Sequence, residues 1–209
     1  MARFSPFPDR EDAGRRLAAE LPTLDRPLVL ALPRGGVPVA AAVARAIDAP
    51  LDVFVVRKLG VPVQPELAMG AVASGGVRVV NEGVLRDARV SAALLEEVTA
   101  REQMAVESCE RLYRVGRPPP PIAGRDVVLV DDGLATGATM RAAVAAVRMH
   151  APSRVVVAVP VAPAETVASL ARDGVEIACV HVSDDFVSVG SWYRDFGQVS
   201  DEEVIRLIS

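Results

Sequence analysis

Aromatic residues are scarce in this chain: 4% of 209 residues, although 51% are hydrophobic. A sizeable core must then be built from Val, Ala and Leu, which favours a parallel sheet covered by alanine-rich helices. Lysine is rarer still. Lys58 is the single lysine, and the other 22 of the 23 basic residues are arginine. The two cysteines, Cys109 and Cys179, stand far apart without metal-ligand spacing and read as small apolar residues in a reducing compartment. The two histidines, His150 and His181, form no triad or metal pattern. No apolar run approaches the roughly 18 residues of a membrane span. The N-terminal MARFSPFPDR lacks the apolar core of a signal peptide, so a cytoplasmic protein is expected. A formal charge of −4 gives no general support for nucleic-acid binding. Both common phosphate motifs, G-x-x-x-x-G-K-[ST] and G-x-G-x-x-G after a strand, are missing.

What is present is concentrated in residues 127–140, VVLVDDGLATGATM. Four apolar residues read as a buried strand. Asp131 and Asp132 stand where that strand should end, followed by a loop with two glycines and two threonines. An alanine-rich helix is expected over 142–147. In an open α/β sheet, ligands bind beyond the carboxyl ends of the strands. A Gly/Thr loop at a helix start offers N–H groups, hydroxyls and a positive dipole end to a phosphate. Carboxylates repel a phosphate, but they accept sugar hydroxyls or serve Mg²⁺ directly or through water. The segment therefore points to one ligand carrying a vicinal diol and a phosphate, a ribose 5-phosphate.

The same grammar occurs earlier. A strand over 27–32 leads through Arg34, Gly35 and Gly36 into a helix over 37–47, on the same sheet edge. A first helix is expected over 9–21. A second strand over 51–56 ends in Arg57 and Lys58. Residues 60–65 read as a loop, 71–74 and 77–80 as a hairpin around Gly75 and Gly76, and 91–113 as a long helix. Pro118 to Pro121 form a stiff linker. Strands over 154–159 and 175–180 flank a helix over 163–172. Four aromatic residues, Phe186, Trp192, Tyr193 and Phe196, crowd the C-terminal segment, and a capped helix over 200–208 follows. The expectation is a doubly wound, mostly parallel α/β sheet of about five strands.

Strand, two acids, then x-x-x-Thr-Gly-x-Thr resembles the 5-phosphoribosyl-1-pyrophosphate (PRPP) loop of the type I phosphoribosyltransferases, and the whole chain is similar to stand-alone bacterial proteins of that family. The resemblance implies one domain over 1–209, with a core over about 27–60 and 125–182, a flap and helical insertion over about 61–124 and a hood over about 183–199. It implies that Asp131 and Asp132 hold the ribose hydroxyls and Mg²⁺. Gly133, Leu134, Ala135, Thr136, Gly137, Ala138 and Thr139 would wrap the 5-phosphate. Arg34, Gly35, Gly36, Arg57 and Lys58 would meet the pyrophosphate, with Arg34 and Lys58 stabilising it as a leaving group. Residues 61–74 would be a closing flap, from which Gln64 and Glu66 could reach the site. Phe186, Val187, Trp192 and Tyr193 would contact a nucleobase-like acceptor. Homodimers are expected. Ala135 stands where 6-oxopurine enzymes place an acid, which argues against hypoxanthine or guanine. The implied activity is transfer of phosphoribosyl from PRPP to an acceptor nitrogen with release of pyrophosphate. A different class, a PRPP-binding regulator of nucleic acid, needs a basic face, for which Arg101, Arg111, Arg114, Arg117 and Arg125 are the candidates. A phosphoribosyl-specific hydrolase is a third reading.

Overall fold

The computed structural model describes residues 6–62 and 64–209, without the side chains of Pro65 and Glu66. The expectation for Glu66 therefore lies outside the described residues, as do residues 1–5 of the N-terminal stretch and Val63 of the expected flap. Five strands form one parallel sheet: β1 (Leu28–Ala31), β2 (Leu51–Val53), β6 (Asp126–Val130), β7 (Arg154–Pro163) and β8 (Glu176–Ser183), in the order β2-β1-β6-β7-β8. A second, antiparallel sheet joins β3 (Val56–Val61), β4 (Gln64–Ala73) and β5 (Val77–Val80). The helices are α1 (Arg10–Ala18), α2 (Gly36–Ala46), α3 (Glu82–Asp87), α4 (Ala92–Arg114), α5 (Ala138–Arg148), α6 (Ala164–Arg172) and α7 (Asp201–Ile208).

Strand side chains alternate between faces, and here both faces are apolar. Val29 and Ala31 of β1, Val128 and Val130 of β6, and Val156 and Ala158 of β7 pack with Val39, Val43 and Leu17 of α2 and α1, and with Val204 of α7. The intervening Leu28, Leu30, Val127, Leu129 and Val157 pack with Met140, Ala143 and Val147 of α5 and Leu170 of α6. A strand covered on both sides reads as an unbroken apolar run, which is why these strands show in the sequence. Helix starts follow local chemistry: Asp9, Ser91 and Ser200 cap α1, α4 and α7 by accepting the N–H of Asp12, Leu94 and Glu203.

Two strand boundaries are corrected, and the segment expected as a flap takes a definite form. The strand expected over 51–56 stops at Val53. The buried hydroxyl of Ser74 accepts the Val55 N–H at 2.9 Å, and the Ser74 N–H donates to the Val55 carbonyl at 2.8 Å, which diverts the chain into the second sheet. Most of the segment expected as a flap over 61–74 is β4, the central strand of that sheet, with Met69, Val72 and Ala73 buried. The strand expected over 154–159 runs on to Pro163. Beyond Ala158 it pairs, among the described residues, only with β8, which leaves one side of β7 able to carry Pro160.

Candidate functional site

The two βα turns read from the sequence meet at one place. β1 and β6 are neighbours, but α2 leaves to one face of the sheet and α5 to the other. Helices diverging from adjacent parallel strands open a crevice at the strands' carboxyl ends, the switch point where ligands of such sheets bind. The turn after β1 and the loop after β6 form its two walls.

Their approach is close enough to require glycine. A Cβ on Gly36 would sit 2.7 Å from the Val130 carbonyl oxygen and 2.9 Å from the Asp131 Cα, and one on Gly35 would collide with the Asp132 carboxylate. Arg-Gly-Gly is thus a packing requirement, since a side chain at either glycine would push the acidic strand end away. The Pro33–Arg34 peptide is cis.

Asp131 and Asp132 are largely withdrawn from water. Burial, then the neighbouring Asp132 charge, raises the pKa of Asp131 well above the usual carboxylate range. Its Oδ1 accepts the Asp132 N–H at 2.9 Å. Burial raises Asp132 as well, but a cation opposes it. That cation is Arg10 of α1, a residue that the sequence reading missed. Its Nε and Nη2 lie 3.0 and 2.9 Å from Asp132 Oδ2, and its Nη1 donates to the Gly197 carbonyl at 2.8 Å. The guanidinium carbon sits 3.9 Å from the centroid of the Phe196 ring. Only an arginine placed next to an N-cap, and aromatics far along the chain, foreshadow this in the sequence, and neither signals the other.

The loop after the acids divides into anchors and a presenting edge. Gly133 has no room for a Cβ, which would meet Val189 at 2.7 Å. Leu134 is buried and its N–H donates to the Val161 carbonyl at 2.9 Å, so it fastens the loop to β7 and leaves no donor for a phosphate. Ala135 is held through its carbonyl by Thr166 Oγ1 at 2.7 Å. Thr136, Ala138 and Thr139 are exposed. Gly137, at φ 72°, takes the left-handed turn that starts α5, where a Cβ would meet Thr166 at 2.9 Å. Because α5 begins at Ala138 and not near 142, its first N–H groups, which lack helical acceptors, belong to the loop itself. The Ala138 N–H donates to Thr136 Oγ1 at 3.4 Å, and a helix start of this kind can receive an anion.

The cations separate. Lys58 lines a small cavity of about 50 Å³ with Val56, Ala138 and Thr139, beside the start of α5. Arg57, one residue earlier on β3, faces the other way and binds Glu102 of α4 at 2.8 Å. Successive strand residues point to opposite faces, so the expectation that Arg57 meets a pyrophosphate is corrected. Arg34 is about half exposed, with Nη1 3.6 Å from Asp201 at the start of α7.

Among the hood residues, Tyr193 is buried and donates its hydroxyl to the Asp132 carbonyl at 2.6 Å, while Phe7 pairs its backbone with the segment. Trp192 stacks on His181 at 5.8 Å. Tyr193 therefore clasps the N-terminal segment onto the site, which corrects its assignment to acceptor contact. Phe186 is half-buried and Val187 exposed. Each arginine considered for a basic face has a partner. Arg101 and Arg111 pair with Glu102 and Glu107, and Arg114 is buried against Asp52 and Glu110. Arg117 binds the Arg114 carbonyl, and Arg125 binds those of Arg26 and Pro27.

Among the described residues no group of three or more Asp, Glu, His or Cys could hold a metal, and no helix is long and apolar enough to cross a membrane. Two adjacent carboxylates suit Mg²⁺, which keeps several waters and completes its shell from substrate phosphates. With Asp132 Oδ2 taken by Arg10, this pair fits a largely hydrated ion and not a closed protein cage.

Residues 5–191 match the family model for the phosphoribosyl transferase domain. Proteins from two strains of Mycobacterium tuberculosis, provisionally named phosphoribosyl transferases, are each 47% identical over 204 residues, covering 97% of this chain and 46% of their own length. The chain thus spans about half the length of these curated relatives. The crystal structure of the Thermus thermophilus protein TT1426 is 46% identical, covers 98% of each chain and superposes with a TM-score of 0.89. A hypothetical protein from Neisseria gonorrhoeae, solved with bound ppGpp, shares the fold alone, at 13% identity, a TM-score of 0.54 and coverage of 98% of this chain and 94% of its own.

Proposed function

The chain belongs to the phosphoribosyl transferase domain family, and from that premise we propose that it transfers 5-phosphoribosyl from PRPP to a nitrogen of a nucleobase-like acceptor. The observation that carries the proposal is the convergence, on one crevice, of a carboxylate pair and an anion seat one loop apart. A phosphate and a vicinal diol separated by the width of a ribose ring match these two features.

The exposed edge from Thr136 to Thr139 holds the 5-phosphate through N–H groups and hydroxyls. Asp131 and Asp132 accept the 2- and 3-hydroxyls and fix the ring. The bond from C1 to the pyrophosphate oxygen then breaks, with the electron pair leaving on pyrophosphate. A bond forms from the acceptor nitrogen to C1, and the nitrogen's proton passes to a base or to solvent. Arg34 and Lys58 offer positive charge where the leaving group gains negative charge. Asp131 and Asp132 are the residues that would hold Mg²⁺, which would supply further charge neutralisation. Strands β3 and β4, which bring Lys58, Ala68 and Gly70 beside Ala138 and Thr139, are the elements suited to exclude water during transfer. The whole chain of the longer relatives carries further residues, so the acceptor is assigned only as a nucleobase-like nitrogen heterocycle.

A panel of nucleobases incubated with Mg²⁺ and PRPP, read by pyrophosphate release, tests the proposal. Release that depends on one acceptor supports it. Release without any acceptor would mark a hydrolase, and none with any heterocycle would contradict the transferase.

A further inference from the structure

Resting on that reading, we infer that Arg10 is the positioning residue that orients Asp132 for the sugar diol, so that the N-terminal helix is a working part of the site. Both Arg10 donors go to one oxygen: Nε at 3.0 Å and Nη2 at 2.9 Å from Oδ2. This stops rotation of the carboxylate and leaves recognition to Oδ1. The rest of the guanidinium is equally fixed. Nη1 donates to the Gly197 carbonyl, and the plane lies over Phe196, with Tyr193 5.9 Å away. Tyr193 in turn holds the Asp132 carbonyl. Side-chain exposures of 12% for Arg10 and 15% for Asp132 place the pair where its charge-assisted hydrogen bonds are strong.

The groups around Asp132 leave Arg10 little other purpose. Asp131 repels Asp132, Tyr193 bonds its backbone, and the Arg34 guanidinium on the neighbouring turn is directed at Asp201. Helix α1 has other anchors, with Leu17 and Ala13 buried beneath it and Asp9 capping it. A cavity of about 360 Å³ that Arg10 lines with Arg45, Arg206, Glu11 and Glu203 contains no residue of the phosphate loop.

A diol-specific readout separates positioning from mere folding. Ribose 5-phosphate, 2-deoxyribose 5-phosphate and inorganic phosphate are titrated in EDTA-containing buffer into the wild-type protein, Arg10→Gln, Arg10→Lys and Phe196→Leu. The wild type should prefer ribose 5-phosphate to the deoxy sugar. Arg10→Gln should lose about tenfold in affinity for ribose 5-phosphate, with inorganic phosphate unchanged and the preference gone. Arg10→Lys should recover part of the loss, and Phe196→Leu should fall in the same direction by less, which keeps the test intact if Arg10→Gln does not fold. Variants that keep the ribose preference overturn this inference alone, as does an equal loss for all three ligands. A wild-type protein that ignores ribose 5-phosphate overturns the transferase reading and this inference together.

Discussion

The loop after β6 and the clasp above it reach Asp132 from opposite directions along the chain. The loop runs from Asp131 to Thr139, and its shape follows from glycines, a helix start and one bond to β7. The clasp joins α1 to the segment around Tyr193 and Gly197, with Arg10 and Asp132 separated by 122 positions. The loop brings the groups that suit the ligand, and the clasp fixes how one of them is presented. Chemistry is local here and its orientation is not, so damage to the two regions should differ in kind as well as in size.

The largest effect belongs to the loop. Asp132→Asn should lower turnover by about 100-fold, measured as pyrophosphate release with the identified acceptor. Near-normal turnover would remove the acid pair from the mechanism. Next comes the floor shared by both walls. Gly36→Ala drives a methyl into the Val130 carbonyl, and denaturant titration should show a loss of about 1–3 kcal/mol. On the cationic side, Lys58→Ala should weaken PRPP affinity by about tenfold. Arg57→Ala, one residue away on the opposite face of β3, should change it by less than about twofold, since only an exposed ion pair is lost. Equal effects at the two positions would contradict the strand orientation.

A smaller effect separates stability from chemistry at the acid pair. The pKa of Asp131 is raised above its ordinary 3.8 in the folded protein by burial and by Asp132. Between that ordinary value and the raised one, the folded chain binds a proton that the unfolded chain has released, so Asp131 favours folding at low pH. That contribution is lost as pH rises through the raised value. Asp131→Asn, similar in shape and still able to accept the Asp132 N–H, escapes this loss. In EDTA its Tm should exceed that of the wild type by a margin that grows from about pH 4 to about pH 8. A constant margin would place the carboxylate in ordinary solvent.

Much of this is readable without the fold, and the reason is range. The doubly covered strands announce themselves as apolar runs, the long helix expected over 91–113 is α4, and residues 127–140 carry strand, turn and helix in one stretch. Gly35 and Gly36 read as a close-approach turn from the pattern alone, and the collision with Asp132 supplies the cause. What escapes depends on partners distant in sequence. The break after Val53 is made by Ser74, and the outward turn of Arg57 depends on a strand that begins at Val56 instead of ending there. Tyr193 reads in sequence as one of several aromatics near a base, yet its hydroxyl is bound to the backbone of the acid pair. Arg10 shows in the sequence only as an arginine beside an N-cap, because its significance lies in where α1 docks.

The central claim is that the acid pair and the threonine-bearing loop hold one phosphorylated sugar between them, and calorimetry with Mg²⁺ and PRPP measures it most directly. The wild-type chain should take up PRPP at one site per chain, the Asp131→Asn, Asp132→Asn double variant should lose that uptake, and Arg57→Ala should keep it. Absence of uptake by the wild type, or uptake undiminished in the double variant, would contradict the account.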